Sequence, residues 1–110
     1  RLVTFMARII KERWAGRVKG LGIDEEVALA IGPNGESQVF ADNGSVYLLE
    51  STSSPGVCEP GKPLTFSKVL VRRVKAGSMF NIKRWDDLEQ NSYELSVKSG
   101  NLSSNTGAIY

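Results

Sequence analysis

The sequence predicts an α/β fold in which one amphipathic helix precedes a β-rich segment. Apolar residues recur at helical spacing over residues 2–14, and from residue 22 onward short apolar runs alternate with turns rich in Gly, Pro and Asn. In several of these runs, apolar and polar residues alternate over only part of the run, which indicates partial burial against another layer. We therefore expect the chain to form one flank of a larger α/β sheet.

The helix is predicted over residues 2–14 from one apolar stripe. The stripe consists of Leu2, Phe5, Met6, Ile9, Ile10 and Trp14. No capping residue precedes Leu2, so we expect the helix to begin before the chain does. Gly16 and Gly20 are the candidate terminators because glycine favours the backbone conformation that ends a helix.

The strands are predicted as a meander in which neighbours in sequence pair with each other. Strong turn signals, Gly-Pro-Asn-Gly at 32–35 and Asp-Asn-Gly at 42–44, separate the first three of them. The predicted strands are 27–31, 38–41, 45–49, 64–75, 79–85 and 93–97. Between and after them we expect a loop at 51–63, a helical turn at 86–91 and a flexible tail at 98–110.

Composition narrows the classes of function. Six basic residues and one acidic residue occur among the first nineteen, whereas the remainder carries eight basic and eleven acidic residues. We interpret the basic helix as a solvated outer face rather than a nucleic-acid or membrane site. The sequence contains no histidine and a single cysteine, Cys58, so it holds no zinc motif and no internal disulfide. No apolar run reaches the length of a membrane helix.

The most informative motif is residues 20–25, which read Gly-Leu-Gly-Ile-Asp-Glu. Its two glycines allow a tight backbone path, and its acidic pair stands at the junction of two regular elements. We expect Asp24 to accept backbone N–H groups at the turn. Glu25 is the candidate orienting carboxylate, although the histidine that it would orient is not in this sequence. Together with a first residue that is not Met, this predicts a piece of a larger protein.

Residues 20–25 resemble the Gly-Ile-Gly-Ile-Asp-Glu segment of the cyanophycinase-like serine peptidases. In that family the segment follows a helix that begins Gly-Arg-Leu, which matches Arg1-Leu2. The resemblance continues in the apolar strand 27–31, in the Gly-Ser-Val-Tyr strand at 44–50 and in the Ala-Gly-Ser-Met-Phe-Asn-Ile run at 76–82. It covers roughly residues 1–85.

The resemblance implies that residues 1–110 are the C-terminal portion of a single peptidase domain with a three-layer α/β/α sandwich. It further implies a serine nucleophile and a histidine base upstream of Arg1, with Glu25 as the triad acid and Arg1 contacting acidic substrate groups. The expected partner is a peptide substrate, either the arginyl-aspartate polymer or related aspartyl peptides. No metal or organic cofactor is expected, and a homodimer of the complete protein is left open.

Two other interpretations remain. The chain could be a non-catalytic helix-plus-meander binding module that uses a basic face against an acidic partner. It could also belong to a relative that keeps the fold but has lost the nucleophile. A serine elbow and a histidine shortly before Arg1 would distinguish the peptidase from both.

Overall fold

The computed structural model describes residues 1–51, 53–84 and 92–107. Within these ranges the chain forms one helix and eight strands. Their bounds are α1 Leu2–Lys11, β1 Lys19–Ile23, β2 Ala28–Ile31, β3 Glu36–Phe40, β4 Ser45–Ser51, β5 Phe66–Lys75, β6 Met79–Asn81, β7 Ser92–Lys98 and β8 Asn101–Ser104. No helix in these ranges is long and apolar enough to cross a membrane.

The predicted α/β class, as part of a three-layer α/β/α sandwich, is wrong. Strands account for 47% of the described residues and helix for 10%, and the sheets are mostly antiparallel. Parallel strands need crossover connections of a dozen or more residues, usually helices, whereas short turns suffice for antiparallel ones. Among the described residues, the one helix lies before all of the strands, so none of these residues forms a crossover helix.

The predicted meander also differs from the observed strand order. Five strands form one sheet in the order β1-β4-β5-β7-β8, and the other three form a second sheet in the order β2-β3-β6. The chain divides into two compact units, and the boundaries between them fall within β1, β4, β5 and β7. The first unit comprises Arg1–Gly20, Leu49–Val71 and Tyr93–Tyr110, and the second comprises Leu21–Leu48 and Arg72–Ser92.

In the first unit, the helix buries a different stripe from the predicted one. The buried residues are Val3, Met6, Ala7 and Ile10, which lie at i, i+3, i+4 and i+7. Two members of the predicted stripe face solvent instead, since Phe5 is 63% exposed and Trp14 is 75% exposed. Both lists satisfy helical periodicity, so the periodicity alone does not select the buried face.

The helix ends at Lys11, three residues earlier than predicted, and neither candidate glycine ends it. Arg13 has a φ of 59°, and its N–H bonds to the carbonyl of Ile10 at 3.0 Å. The next N–H, that of Trp14, bonds to the carbonyl of Ile9 at 3.1 Å. These two bonds form a Schellman motif in which an arginine occupies the position that glycine usually takes. Gly20 instead permits close packing, because a Cβ there would lie 2.7 Å from Sδ of Met6.

The second unit is built around the three-stranded sheet. β3 pairs antiparallel with β2, where Leu29 lies opposite Val39, and with β6, where Ser37 lies opposite Phe80. A buried cluster packs with partly buried apolar side chains from the neighbouring segments. The cluster consists of Val39, Val46, Leu48 and Val74, and its neighbours are Leu21, Val27, Leu29, Phe80 and Ile82.

The remaining predicted elements agree with the structure in part. The predicted tail 98–110 contains β8, which pairs with β7 so that Val97 lies opposite Leu102. The predicted strand 79–85 is a strand only over Met79–Asn81. The predicted helical turn at 86–91 lies outside the described residues.

Candidate functional site

A strained four-residue turn connects β1 to β2 and carries the acidic pair. The N–H of Val27 donates to the carbonyl of Asp24 at 3.3 Å, which closes the turn around Glu25 and Glu26. Glu26 has a φ of 61°. A positive φ at the third position of a turn normally calls for glycine or asparagine, so a glutamate there costs on the order of 1 kcal/mol. The Glu25 side chain is exposed to solvent.

Asp24 ties this turn to the start of β4. Its N–H donates to the carbonyl of Ser45 at 3.2 Å, and its Oδ2 accepts the N–H of Ser45 at 3.0 Å. The expectation that Asp24 accepts a backbone N–H is confirmed, and the donor lies twenty-one residues further along the chain. A side chain that closes such a contact fixes where the turn begins.

Ser45, Tyr47 and Arg73 extend this network beneath the turn. Nε of Arg73 donates to Oγ of Ser45 at 3.0 Å, and its guanidinium carbon lies 6.0 Å from the centroid of the Tyr47 ring. That distance is at the outer limit of a cation–π contact. Burial, and to a lesser degree the negative charge of Asp24, raises the pKa of Tyr47, while Arg73 opposes the shift. The phenol therefore stays protonated and hydrogen-bonds to Asp24.

Gly44 provides the space that this network needs. Its φ is 103°, and a Cβ there would lie 2.8 Å from Cγ2 of Val27 and 3.4 Å from Cβ of Asp24. Both ends of the acidic turn, Asp24 and Val27, thus rest against a backbone position that only glycine suits. We use the name acidic-turn network for the turn at residues 24–27 together with Ser45, Tyr47 and Arg73.

The two carboxylates of the motif are placed for different roles. Asp24 is occupied by the Ser45 amide and the Tyr47 hydroxyl. Glu25, one residue further on, is exposed on the turn that these bonds hold. An exposed carboxylate on a fixed backbone can accept a hydrogen bond from a donor outside the turn, such as the N–H of an imidazole or a guanidinium.

Arg1, the other predicted site residue, lies in a different unit. It occupies the N-cap position of α1 without a capping hydrogen bond from its side chain, and it is exposed. It lines a groove of about 210 Å³ together with Thr4, Leu64 and Leu102, among others. Glu25 belongs to the second unit.

Ser45 and Tyr47 were not among the predicted site residues, and Arg73 was predicted only as part of a basic strand that could face an acidic partner. The first two lie in the Gly-Ser-Val-Tyr run that carries part of the family resemblance, which was the available signal. Arg73 stands in a basic strand, and nothing in its neighbours distinguishes it from Arg72. The pairing of β4 with β5 in the five-stranded sheet brings it to Ser45, twenty-eight residues earlier in the chain.

The described residues contain no group of three His, Cys, Asp or Glu side chains placed to hold a metal ion. Comparison of the chain with models of known protein families, with curated proteins and with solved structures found no match. The functional argument therefore rests on the residues and on the geometry of the acidic-turn network.

Proposed function

We propose that this chain supplies the triad acid, Glu25, to a serine-type exopeptidase of the cyanophycinase-like kind. The proposed substrate is cyanophycin, an arginyl-aspartate polymer, or a related aspartyl peptide. The observation that carries the proposal is an exposed carboxylate on a turn held by Asp24, Ser45 and the glycine at 44. The match of residues 20–25 to the family motif selects Glu25 for the role.

A triad acid must hold an imidazole in one orientation. It accepts the N–H of one ring nitrogen, which leaves the other nitrogen free to take the proton of the nucleophile, and it stabilises the imidazolium that results. Small displacements of such a group lower the rate strongly, so a fixed backbone is an advantage. The two hydrogen bonds between Asp24 and Ser45 support this requirement at the residue before Glu25.

The histidine and the serine of the proposed triad come from outside these 110 residues, because the sequence contains no histidine. The proposed hydrolysis uses no metal and no organic cofactor. In this proposal the serine attacks the peptide carbonyl while the histidine takes its proton and passes it to the leaving amine, which leaves an acyl-enzyme. Water, deprotonated by the same histidine, then releases the acid product and restores the serine, and Glu25 orients the imidazole in both steps.

Arg1 is proposed to contact an acidic group of the substrate. Its guanidinium can pair with a carboxylate through two parallel hydrogen bonds, and its exposure leaves it accessible. Because Arg1 and Glu25 belong to different units, this role is a separate proposal and does not support that of Glu25.

The test is Glu25→Gln in the complete protein. Glutamine keeps the size of the side chain but removes the charge that stabilises the imidazolium, so we expect kcat to fall by about 10³–10⁴-fold. The melting temperature should change little because Glu25 is exposed.

The matched control is Glu26→Gln, which makes the same charge change at the next residue of the same turn. It should retain most of the activity. If Glu25→Gln hydrolyses aspartyl peptides as fast as Glu26→Gln does, Glu25 is not the triad acid.

A further inference from the structure

A groove at the C-terminal end of α1 differs in character from the acidic turn. It has a volume of about 560 Å³, and all of its lining residues belong to the first unit. The lining residues are Ile10, Lys11, Arg13, Ala15, Gly16, Ser54 and Pro55. Apolar and small residues form much of its wall, and the two charged residues are both basic. We call it the helix-end groove.

The two basic side chains of the groove have no ion-pair partner among the described residues, whereas other basic residues of the same unit do. Arg8 pairs with Glu12 at 2.9 Å, and Lys62 pairs with Glu59 at 2.9 Å. Across residues 1–51, 53–84 and 92–107, no carboxylate lies within ion-pair distance of Lys11 or Arg13. The groove therefore presents two uncompensated positive charges beside apolar surface.

Arg13 places its side chain at the groove although its backbone conformation is unfavourable. Its φ of 59° is a conformation in which glycine or asparagine is normally found at a helix end. Strained backbone of this kind is concentrated at binding and catalytic positions. The following residue, Trp14, is 75% exposed, and a tryptophan is among the residues that most often anchor a protein partner.

We propose that the helix-end groove binds an acidic peptide segment. Lys11 and Arg13 pair with carboxylates of the segment, while the half-buried Pro55 contacts its apolar atoms. The Ser54 hydroxyl offers a further hydrogen-bond donor to a carboxylate or a carbonyl. The mixture of two cations with an apolar wall fits a peptide better than a nucleic acid, which is held mainly by rows of phosphate contacts.

The probe is hexa-aspartate labelled with fluorescein, followed by fluorescence anisotropy with the complete protein. We expect saturable binding that weakens as salt is raised, and no binding of labelled hexa-asparagine. In the double variant Lys11→Gln/Arg13→Gln the Kd should rise by at least about tenfold, which corresponds to about 1.4 kcal/mol.

The matched control is Lys75→Gln/Lys98→Gln, which removes the same charge from two exposed lysines outside the groove. It should bind nearly as well as the unchanged protein. An equal loss in both double variants would mean that net charge alone attracts the probe, and this would overturn the proposal. Failure of the unchanged protein to bind hexa-aspartate, or tighter binding of a six-nucleotide oligothymidylate, would overturn it as well.

A second variant keeps the test valid if the double variant does not fold. Gly16 lines the groove, and nothing lies within 4 Å of the position where its Cβ would be. Gly16→Glu thus adds a like charge to the ligand without a steric clash, and it should abolish binding, whereas Gly16→Gln should not. Because the proposed peptidase site also takes aspartyl peptides, all of these variants are made in the Glu25→Gln background, so that cleavage of the probe does not enter the result and a loss caused by the groove variants reports the groove.

Discussion

The acidic turn and the helix end use the same unusual backbone conformation with opposite charges. Glu26 has a φ of 61° in the turn between β1 and β2, and Arg13 has a φ of 59° just after α1. Glycine is the residue that takes either position most easily. The two regions differ in what holds this conformation in place.

Side-chain hydrogen bonds reinforce the acidic turn, whereas backbone hydrogen bonds hold the left-handed residue at the helix end. Asp24 bonds to Ser45, Arg73 bonds to Ser45, and Gly44 packs against both ends of the turn. At the helix end, the stabilising bonds are those from the N–H groups of Arg13 and Trp14 to carbonyls of the last helical turn. A turn locked by side chains suits a group that must be placed accurately, and an open helix end suits a surface that adapts to a peptide.

Among the variants that distinguish the two regions, we expect Asp24→Ala to change the free energy of unfolding most. This variant leaves the partly buried N–H of Ser45 without its carboxylate acceptor, which should lower the free energy of unfolding by about 1–2 kcal/mol. Asp24→Asn retains an oxygen acceptor and should recover much of the loss. Urea unfolding measures both variants. If alanine and asparagine behave alike, the side-chain lock does not stabilise the turn.

A smaller effect, of opposite sign, is expected when glycine replaces the two left-handed residues. Arg13→Gly and Glu26→Gly each relieve backbone strain and should raise the free energy of unfolding by about 0.5–1 kcal/mol. The midpoint of urea unfolding reports the change.

The control for the glycine variants is Arg17→Gly, which removes an exposed arginine from a residue whose φ is not positive. It should not stabilise the protein. Equal midpoints for Arg13→Gly and Arg17→Gly would show that the conformation of Arg13 carries no strain.

The smallest expected effect is a pH dependence confined to the acidic-turn network. The pKa of Tyr47 is raised above its usual value of 10.0, so the folded protein keeps this proton at a pH where the unfolded chain has begun to lose it. The contribution to stability is complete below pH 10 and is lost as the pH rises through the folded value. Urea unfolding from about pH 8 to about pH 11 should therefore show a steeper alkaline decline for the unchanged protein than for Tyr47→Phe. Parallel declines would contradict the buried, protonated state of the phenol.

The local sequence pattern predicted the positions of most helical and strand segments, but it did not predict which residues they contact. The apolar periodicity predicted a helix near the start of the chain, and a helix is present over Leu2–Lys11. The same periodicity favoured Phe5 and Trp14 as buried residues, and both are exposed. Two stripes of comparable apolar content lay on this helix, and contacts with distant segments decided which one is buried.

The candidate site shows the same difference between what the local sequence predicts and what contacts between distant residues decide. The Gly-x-Gly-x-Asp-Glu run predicted an acidic pair at a junction and a backbone partner for Asp24, but its two glycines lie in β1 rather than in a tight turn, which follows at residues 24–27. It could not supply Arg73, because the contact between Arg73 and Ser45 joins residues twenty-eight positions apart. Such contacts depend on strand pairing, which single-sequence patterns do not specify.

What the sequence by itself determined is therefore local: a helix, a series of short strands, their turns, and an acidic pair at one junction. The tertiary structure decided that the strands form two mostly antiparallel sheets, that β3 pairs with β2 and β6 rather than with β4, and that an arginine takes the left-handed position just after the helix. The physical reason is that periodicity and turn chemistry act over a few residues. Strand partners and the buried face of a helix follow from the free energy of burying surfaces that are distant in sequence.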